Sequence, residues 1–405
     1  MSGSKIGRRL ITISLLSILA VNFIAFVAYA LVQKELSADA FKNESFYRTN
    51  FGKTFKFLSN WDGHYFLAIA ERGYEEPSHH AFFPLYPLLI RFSASFLSFG
   101  LKNFDFFSLL LVSSLIISNT MFLLSVLAFY KLTICVFKDR PKFALKSSFL
   151  YSFNFARIFM SATYSESLFA FMSMTAFRLH LEKDELKAVG LFFLCTFVRS
   201  NGILFSGFYF FRFVRDFLLK RTIDTTRALK YLIFGFFIIS PYFLWNFCGY
   251  KKYCSSEEDF ARNEFCSEIN FIQFYSFLQS KYWNVGFLKF YKLSQIPNFL
   301  LAAPVLFFSA YSIFLYSNKN WQNFVSIGFF DGSKKSLERS VENILFSSKL
   351  LVFHYYWSIL CFIAIFVMNV QVLKVCRKGV FEVHVDFSSR LLVFVLFYKL
   401  QPIFE

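Results

Sequence analysis

The sequence predicts an all-α polytopic membrane protein. Apolar residue types make up 56% of the 405 residues and charged types only 17%, whereas a soluble protein usually carries about 25% charged residues. Several apolar runs reach the roughly 20 residues that a helix needs to cross a bilayer. A transmembrane barrel is disfavoured, because its strands would alternate apolar and polar residues in segments of about 10. We therefore expect one multi-pass domain, residues 1–405, with about 8–10 transmembrane helices.

The charge balance is strongly basic, with a formal net charge of +17. In a soluble protein such a charge would suggest a nucleic-acid partner. Here no RNA- or DNA-binding motif is present, and the charges are scattered between apolar spans. We expect them in cytosolic loops and at helix ends, and we expect no nucleic-acid partner.

The N-terminus predicts the orientation of the chain. Lys5, Arg8 and Arg9 precede about 24 apolar residues, which is longer than the core of a cleaved signal peptide. An uncleaved anchor with a cytosolic basic flank makes residues 34–80 the first luminal loop. Its six Lys or Arg and seven Asp or Glu give the near-neutral balance expected outside the cytosol.

Eight further apolar spans are predicted. They lie at 82–99, 106–130, 147–163, 165–181, 188–211, 231–247, 297–317 and 349–372. Alternation puts the basic loop "KRTIDTTRALK" in the cytosol and residues 248–296 in the lumen as a second loop. The basic segment 131–146 disagrees, because this count places it in the lumen. Either 82–99 is a re-entrant or interfacial segment, or 147–181 is.

The first luminal loop concentrates polar chemistry in "SNWDGHYFLAIAERGYEEPSHHAFFPLYPLL". One interpretation of Asp62 is a cap for a short helix that ends at Gly73. The other is a carboxylate at the membrane surface that takes a proton from a hydroxyl. Trp61 offers a flat apolar face for a sugar, and His80, beside His79, is a candidate for binding a phosphate. The histidines alone are weak support for a metal site.

Polar residues also interrupt two of the apolar spans. Glu166, in "FMSATYSESLFAFMSM", is costly inside a span unless it faces a cavity or a partner; the alternative is a surface turn between helices. Arg199 and Asn201, in "FVRSNGILFSGF", are predicted to lie mid-span, where an arginine needs an anion such as a lipid phosphate. Cys248, Cys254 and Cys266 share the second loop, where an oxidising lumen favours a disulfide.

Six stretches of the chain, taken together, resemble the GPI mannosyltransferase 2 family, the PIG-V type. The resemblance is carried, in the order of the family, by "NWDGHYFLAIAERGYEEPSHHAFFPLYPLLIR", "IFMSATYSESLFAF", "FVRSNGIL", "PYFLWNFCGYKKYC", "YWNVGFLKFYKLSQIPNFLLAAPVLFFS" and "HYYWSILCFIAIFVMNVQVLK". It covers most of residues 5 to 375. After Lys374 the tail "FSSRLLVFVLFYKLQPIFE" departs from the family pattern.

The resemblance implies a GT-C type glycosyltransferase of the endoplasmic reticulum membrane with its site facing the lumen. Such an enzyme transfers the second mannose, in an α1,6 link, from dolichyl-phosphate-mannose to the GPI precursor. Asp62 matches the acid of the family's loop, and we expect it to be the base of an inverting displacement with Trp61 orienting the acceptor. His80 and Arg199 are expected to bind the phosphate, and Glu166 and Asn201 to shape the pocket.

We expect no metal and no cofactor besides the donor lipid, and we leave room for a small membrane accessory subunit. Two alternatives stay open. A transporter or scramblase of a lipid-linked sugar would use the same buried charges, although the inverted repeats of many transporters are not visible in the sequence. A non-catalytic subunit of a transferase complex is the other.

Overall fold

The computed structural model describes residues 3–32, 54–138, 140–154, 157–219, 225–256, 263–328 and 350–367. Within these ranges the chain forms helices and connecting turns and no strand, as the composition predicts. The predicted luminal loops are therefore described from residue 54 onward and, for the second loop, outside 257–262. Residues 34–53 and the tail after residue 367 lie outside the described residues.

The α-helices follow the apolar runs of the sequence. They are α1 Gly3–Val32, α2 Asp62–Arg72, α3 Leu85–Ser98, α4 Phe106–Phe137, α5 Pro141–Ser152, α6 Glu166–Leu181, α7 Glu185–Val198, α8 Gly207–Leu219, α9 Thr225–Tyr253, α10 Phe274–Trp283, α11 Ile296–Lys319, α12 Trp321–Val325 and α13 Leu351–Phe366.

Three helices in the described part are long and apolar enough to cross a membrane. They contain residues Lys5–Leu31, Phe106–Phe137 and Thr225–Tyr253, and the bent segment 293–319 would make a fourth. Helices α3 and α13 are apolar but shorter. The expectation of a helical membrane protein is confirmed, while many predicted spans are shorter or broken in the structure.

The helix bundle has two chemically different ends. Helix α1 runs antiparallel to α4. Near its end Phe26 lines a cavity with Leu115 and Asn119. Nearer its start Ser17 contacts the Ser152 carbonyl, and the neighbouring Tyr151 hydroxyl bonds Ser125, farther along α4. The end where α1 begins and α4 stops is called the basic end. The opposite end, where α1 stops and α6 begins, carries α2 and α10 and is called the loop end.

The helices after α4 connect these ends in turn. The charges of Arg178 and Glu182, where α6 stops, reach Cys135 near the end of α4. Glu185, which begins α7, binds Arg212 of α8 at 2.6 Å and also Lys230 near the start of α9. The described parts of the two basic segments, residues 131–138, 140–146, 216–219 and 225–230, therefore lie at the same end as the basic N-terminus.

Helix α3 explains why the predicted topology disagreed with segment 131–146. Its 14 residues span about 21 Å, short of the roughly 30 Å of a hydrocarbon core. Near its start the Tyr86 hydroxyl hydrogen-bonds Ser118 Oγ at 2.8 Å, and its last residue is joined to the first residue of α4 by a short turn. It thus folds back along the first third of α4, which favours the alternative that 82–99 is a re-entrant or interfacial segment.

Two other predicted spans are also interrupted. In 147–163, helix α5 stops at Ser152 and a 3₁₀ turn follows at Arg157–Met160. In 188–211, helix α7 stops at Val198, and the 3₁₀ turn Ser200–Ser206 precedes α8. Glycine is required at position 202, because a Cβ there would lie 2.6 Å from the Thr196 backbone.

Candidate functional site

The connection into α2 is fixed against the segment that precedes α6. Thr163 N donates to the Leu58 carbonyl at 2.8 Å, and the Tyr164 hydroxyl donates to the Asn60 carbonyl at 3.1 Å. A Cβ on Gly63 would lie 3.2 Å from the Thr163 carbonyl oxygen, so the two segments approach as closely as a glycine allows. These contacts hold the start of α2 beside the start of α6.

Asp62 is the first residue of α2, and Trp61 rather than Asp62 is the N-cap. A carboxylate in the first turn of a helix is favoured by the positive end of the helix dipole. The helix ends as expected at Gly73, whose φ is 83° and whose N–H donates to the Ile69 carbonyl. The capping interpretation is therefore right about the helix and wrong about which residue caps it.

Glu166 and Arg199 form an ion pair at the same end. Glu166 is the first residue of α6, and Arg199 Nη1 lies 2.6 Å from its Oε1 and 3.2 Å from Ser165 Oγ. The Glu166 side chain is 13% exposed and that of Arg199 is 32% exposed. Arg199 does not lie within a continuous helix, because it sits in extended backbone where α7 stops. Its anionic partner here is the Glu166 carboxylate.

Asn201 lies two residues after Arg199, in the 3₁₀ turn, and is half-buried. Glu166, Arg199 and Asn201 therefore come from two chain breaks at the loop end rather than from the middle of apolar helices. The predicted cost of a charge inside a span does not apply to residues at a helix break with a charged partner.

Tyr275 links this ion pair to Asp62. Its hydroxyl hydrogen-bonds Ser200 Oγ at 2.8 Å, and its N–H donates to Asn246 Oδ1. Burial raises the pKa of Tyr275, while the charge of Arg199 lowers it and that of Asp62 raises it. Both charges thus reach one phenol. The sequence carried no signal for this residue, one of 21 tyrosines.

His80 is packed inside an aromatic cage. Its ring stacks on Trp245 with centroids 4.3 Å apart, and Tyr74, Tyr253 and Phe274 surround it. The ring is 4% exposed, and burial lowers the pKa of His80 to about 3. At neutral pH it is an uncharged packing group, which disfavours the cationic phosphate contact expected of it.

The cage joins the two predicted luminal loops. Trp245 Nε1 donates to the His80 carbonyl at 3.0 Å, and the Tyr253 hydroxyl donates to the Tyr74 and Glu76 carbonyls. Directly after α9, Cys254 and Cys266 form a disulfide, which identifies the pair that the sequence left open; Cys248 is free and exposed. The cage and the disulfide together hold α10 over the start of α2.

His80 predicts a pH dependence of stability. The unfolded chain protonates this histidine near 6.5 and the folded chain only near 3. Because the unfolded state then binds more protons between these values, stability falls as the pH drops below 6.5, by up to about 1.4 kcal/mol per pH unit. Thermal unfolding in detergent, at neutral pH and one unit below 6.5, should show a smaller acid loss for His80→Phe than for the unsubstituted protein. Equal losses would contradict the cage.

The described residues contain no group of side chains that suits a metal ion. In the ranges that the structure describes, no three His, Cys, Asp or Glu side chains are grouped so as to hold a metal ion. The expectation of a metal-free reaction stays a prediction.

Comparison with known families decides the class of the protein. The family model described as "Mannosyltransferase (PIG-V)" matches residues 5–396. The chain belongs to the PIG-V mannosyltransferase family. It is therefore a glycosyltransferase of the membrane, and the resemblance found in the sequence is confirmed.

Similar proteins carry consistent names. The chain is 32% identical over 347 residues to "GPI alpha-1,6-mannosyltransferase 2" of Cricetulus griseus, a match covering 78% of this chain and 69% of that protein. It is 30% identical over 345 residues to the Homo sapiens protein of the same name, with the same coverage. "GPI mannosyltransferase 2" of Drosophila melanogaster is 32% identical over 285 residues, 62% of each chain. No solved structure matches.

Membership in the PIG-V family indicates which chemical groups to look for at the loop end. A mannosyltransferase needs a group that accepts a proton from the acceptor hydroxyl and groups that stabilise the departing anion. Asp62 supplies a carboxylate, and Arg199, Ser200 and Tyr275 supply donors within one cluster. The structure brings four of the predicted residues together at the loop end: Asp62, Glu166, Arg199 and Asn201. His80 belongs instead to the aromatic cage.

Proposed function

We propose that this chain transfers the second mannose, in an α1,6 link, from dolichyl-phosphate-mannose to the GPI precursor at the endoplasmic reticulum membrane. The names of the relatives support the acceptor and the linkage. The observation that carries the mechanism is the position of Asp62 at the start of α2, which hydrogen bonds from Thr163 and Tyr164 hold beside the start of α6 and its Glu166–Arg199 ion pair.

The reaction is a single inverting displacement. A β-linked donor that gives an α-linked product requires one in-line attack by the acceptor hydroxyl on the anomeric carbon. The C–O bond to the acceptor forms, the bond from the anomeric carbon to the phosphate oxygen breaks, and Asp62 takes the hydroxyl proton. Its place in the first turn of α2 favours the charged carboxylate from which such a base must start.

Arg199 is placed to stabilise the dolichyl phosphate that leaves. Glu166 and Ser165 hold one guanidinium nitrogen, and the planar fork of a guanidinium matches the geometry of a phosphate. The hydrogen-bonded pair Ser200 and Tyr275 adds one further hydroxyl donor beside it, because one of the two O–H groups donates to the other oxygen. Donors fixed before the reaction cost no reorganisation when charge develops on the leaving oxygen. Asn201 is assigned to shaping this side of the pocket.

We assign the loop end to the lumen. The basic segments at the other end follow the rule that cytosolic loops are rich in Lys and Arg. The disulfide between Cys254 and Cys266 lies at the loop end, and disulfides persist in oxidising compartments such as this lumen. Two expectations stay predictions: that the reaction needs no metal, and that there is room for a small membrane accessory subunit.

Purified protein tests the proposal with labelled dolichyl-phosphate-mannose and a one-mannose GPI acceptor. We expect a two-mannose product whose new link is α1,6, formed without an added divalent cation. Reconstituted vesicles distinguish the alternatives, because movement of the labelled lipid without product would identify a transporter. No product even after supplying membrane extract proteins would overturn the assignment, whereas product only with the extract would indicate an accessory subunit.

A further inference from the structure

Helix α10 presents one continuous stripe to the site. Tyr275, Gln279 and Tyr282 are spaced by four and three residues, which places them on one face of a helix. Phe274 and Leu278, 1% and 0% exposed, face the core instead. The stripe begins at the hydroxyl of Ser200, next to Arg199, and ends about 10 Å farther along the helix axis at Tyr282.

The far end of the stripe meets α2 in a group of aromatic rings. Tyr65 lies three residues after Asp62, on the same face of α2, and the Asp62 charge is among the causes that raise the pKa of Tyr65. Tyr65 stacks on Phe82 at 4.8 Å, and its ring centroid is 5.8 Å from that of Trp283. We call Tyr65, Tyr282 and Trp283 the aromatic ledge; Tyr282 is 42% exposed.

Trp61 directly precedes Asp62 in the chain and has an unusual backbone conformation. Its backbone, at φ 53° and ψ −118°, is in a region that glycine adopts readily and that strains an L-residue with a side chain. The ring is nevertheless 63% exposed, so burial does not compensate the strain. Strained backbone of this kind, held by its surroundings, is concentrated at ligand sites.

The two flanks of Asp62 thus differ in chemistry. The Arg199 flank is cationic and rich in hydroxyl donors, which suits the phosphate of the donor. The ledge offers apolar ring faces with a few polar atoms, which suits an uncharged sugar ring with one apolar face. The acceptor hydroxyl must lie between the two, at the Asp62 carboxylate.

We propose that the aromatic ledge, together with Trp61, is the subsite that binds the mannose of the acceptor glycan. This inference rests on the proposed function, since it names the side of Asp62 from which the acceptor attacks. Exposed Trp and Tyr side chains also anchor proteins at membrane interfaces, and the experiment separates that role from sugar binding.

Steady-state kinetics of Trp283→Ala give the first test. We expect the acceptor KM to rise about tenfold, as for loss of about 1.4 kcal/mol of contact, with the donor KM unchanged. Trp283→Phe should restore most of the affinity, because it keeps an aromatic face. The control is Trp321→Ala, a tryptophan in α12 that is more exposed, 63%, than the partly buried Trp283. Trp61→Gly should raise the unfolding temperature and also raise the acceptor KM.

A binding measurement keeps this inference separate from the proposed function. Saturation-transfer NMR of the protein in detergent, with lipid-free one-mannose GPI glycan as the probe, should detect the mannose protons with the unsubstituted protein and not with Trp283→Ala. If Trp283→Ala transfers mannose with an unchanged acceptor KM, the proposal for the aromatic ledge fails while the proposed function stands. A lower protein level in the membrane with a normal acceptor KM would identify an interfacial anchor and overturn it as well. If the unsubstituted protein neither transfers mannose nor binds the glycan, both proposals fall.

Discussion

Replacing Asp62 by Asn should abolish mannose transfer while the protein remains folded in the membrane. Loss of a positioned general base costs about 10²–10⁴-fold in rate. The structural cost is small, because a first-turn carboxylate contributes only about 0.3–1 kcal/mol through the helix dipole. Complementation of cells that lack the second GPI mannose, with the protein level measured in parallel, gives the readout.

Asp62→Ala is the comparison that separates chemistry from helix stability. If Asp62 only supported the start of α2 through its charge, both the Asn and the Ala variant would lose about 0.3–1 kcal/mol of stability and both would transfer mannose normally. Full rescue by Asp62→Asn would remove Asp62 from the mechanism. Glu71 is a poor replacement, because it lies at the far end of α2, about 13 Å along the helix axis. Glu166 would then be the base to test.

Replacing Arg199 by Ala should lower turnover about 10²–10³-fold, the usual effect of removing one fixed donor to a developing anion. Arg199→Lys keeps the charge but loses the planar fork, and we expect it to recover only part of the rate. Single-turnover kinetics with dolichyl-phosphate-mannose measure both. An unchanged donor KM and turnover in Arg199→Ala would make the residue structural.

The Glu166 partner allows a sharper control for this arginine. Removing Arg199 alone leaves a largely buried carboxylate without the guanidinium that neutralises it, which destabilises the fold. The double variant Arg199→Ala, Glu166→Ala should therefore regain stability. If Arg199 acts on the phosphate, turnover stays low in the double variant. Recovery of turnover along with stability would show that Arg199 serves only to neutralise Glu166.

The sequence predicted the membrane class and Asp62 for the same physical reason. An apolar chain makes each concentrated polar stretch conspicuous, and the stretch around Asp62 was the richest in this sequence. The start of α2 and its end at Gly73 followed from local rules for helix termini, which need no knowledge of distant residues.

The remaining features depend on contacts that hydropathy does not record. The run 188–211 is mostly apolar, with Thr196, Arg199, Ser200, Asn201 and Ser206 as its polar exceptions. Hydropathy therefore favours one continuous span, and the break at Arg199 depends on the close approach of Gly202 to the Thr196 backbone. Segment 82–99 is as apolar as a spanning helix, but it folds back because Tyr86 bonds Ser118. Tyr275 gains its place from Ser200, 75 residues earlier in the chain.

The cage around His80 also sets the time at which the site can form during synthesis. Trp245, whose indole holds the His80 carbonyl, is 165 residues later in the chain, and Tyr253 follows Tyr74 by 179 residues. At about 5–20 residues per second, roughly 8–35 s pass between synthesis of the segment containing Asp62 and synthesis of the later residues of the cage. Until α9 is inserted and Tyr275 has followed, a nascent chain has the carboxylate without its partners. We therefore expect a partly synthesised chain to transfer no mannose to the lipid substrates that it meets in the membrane.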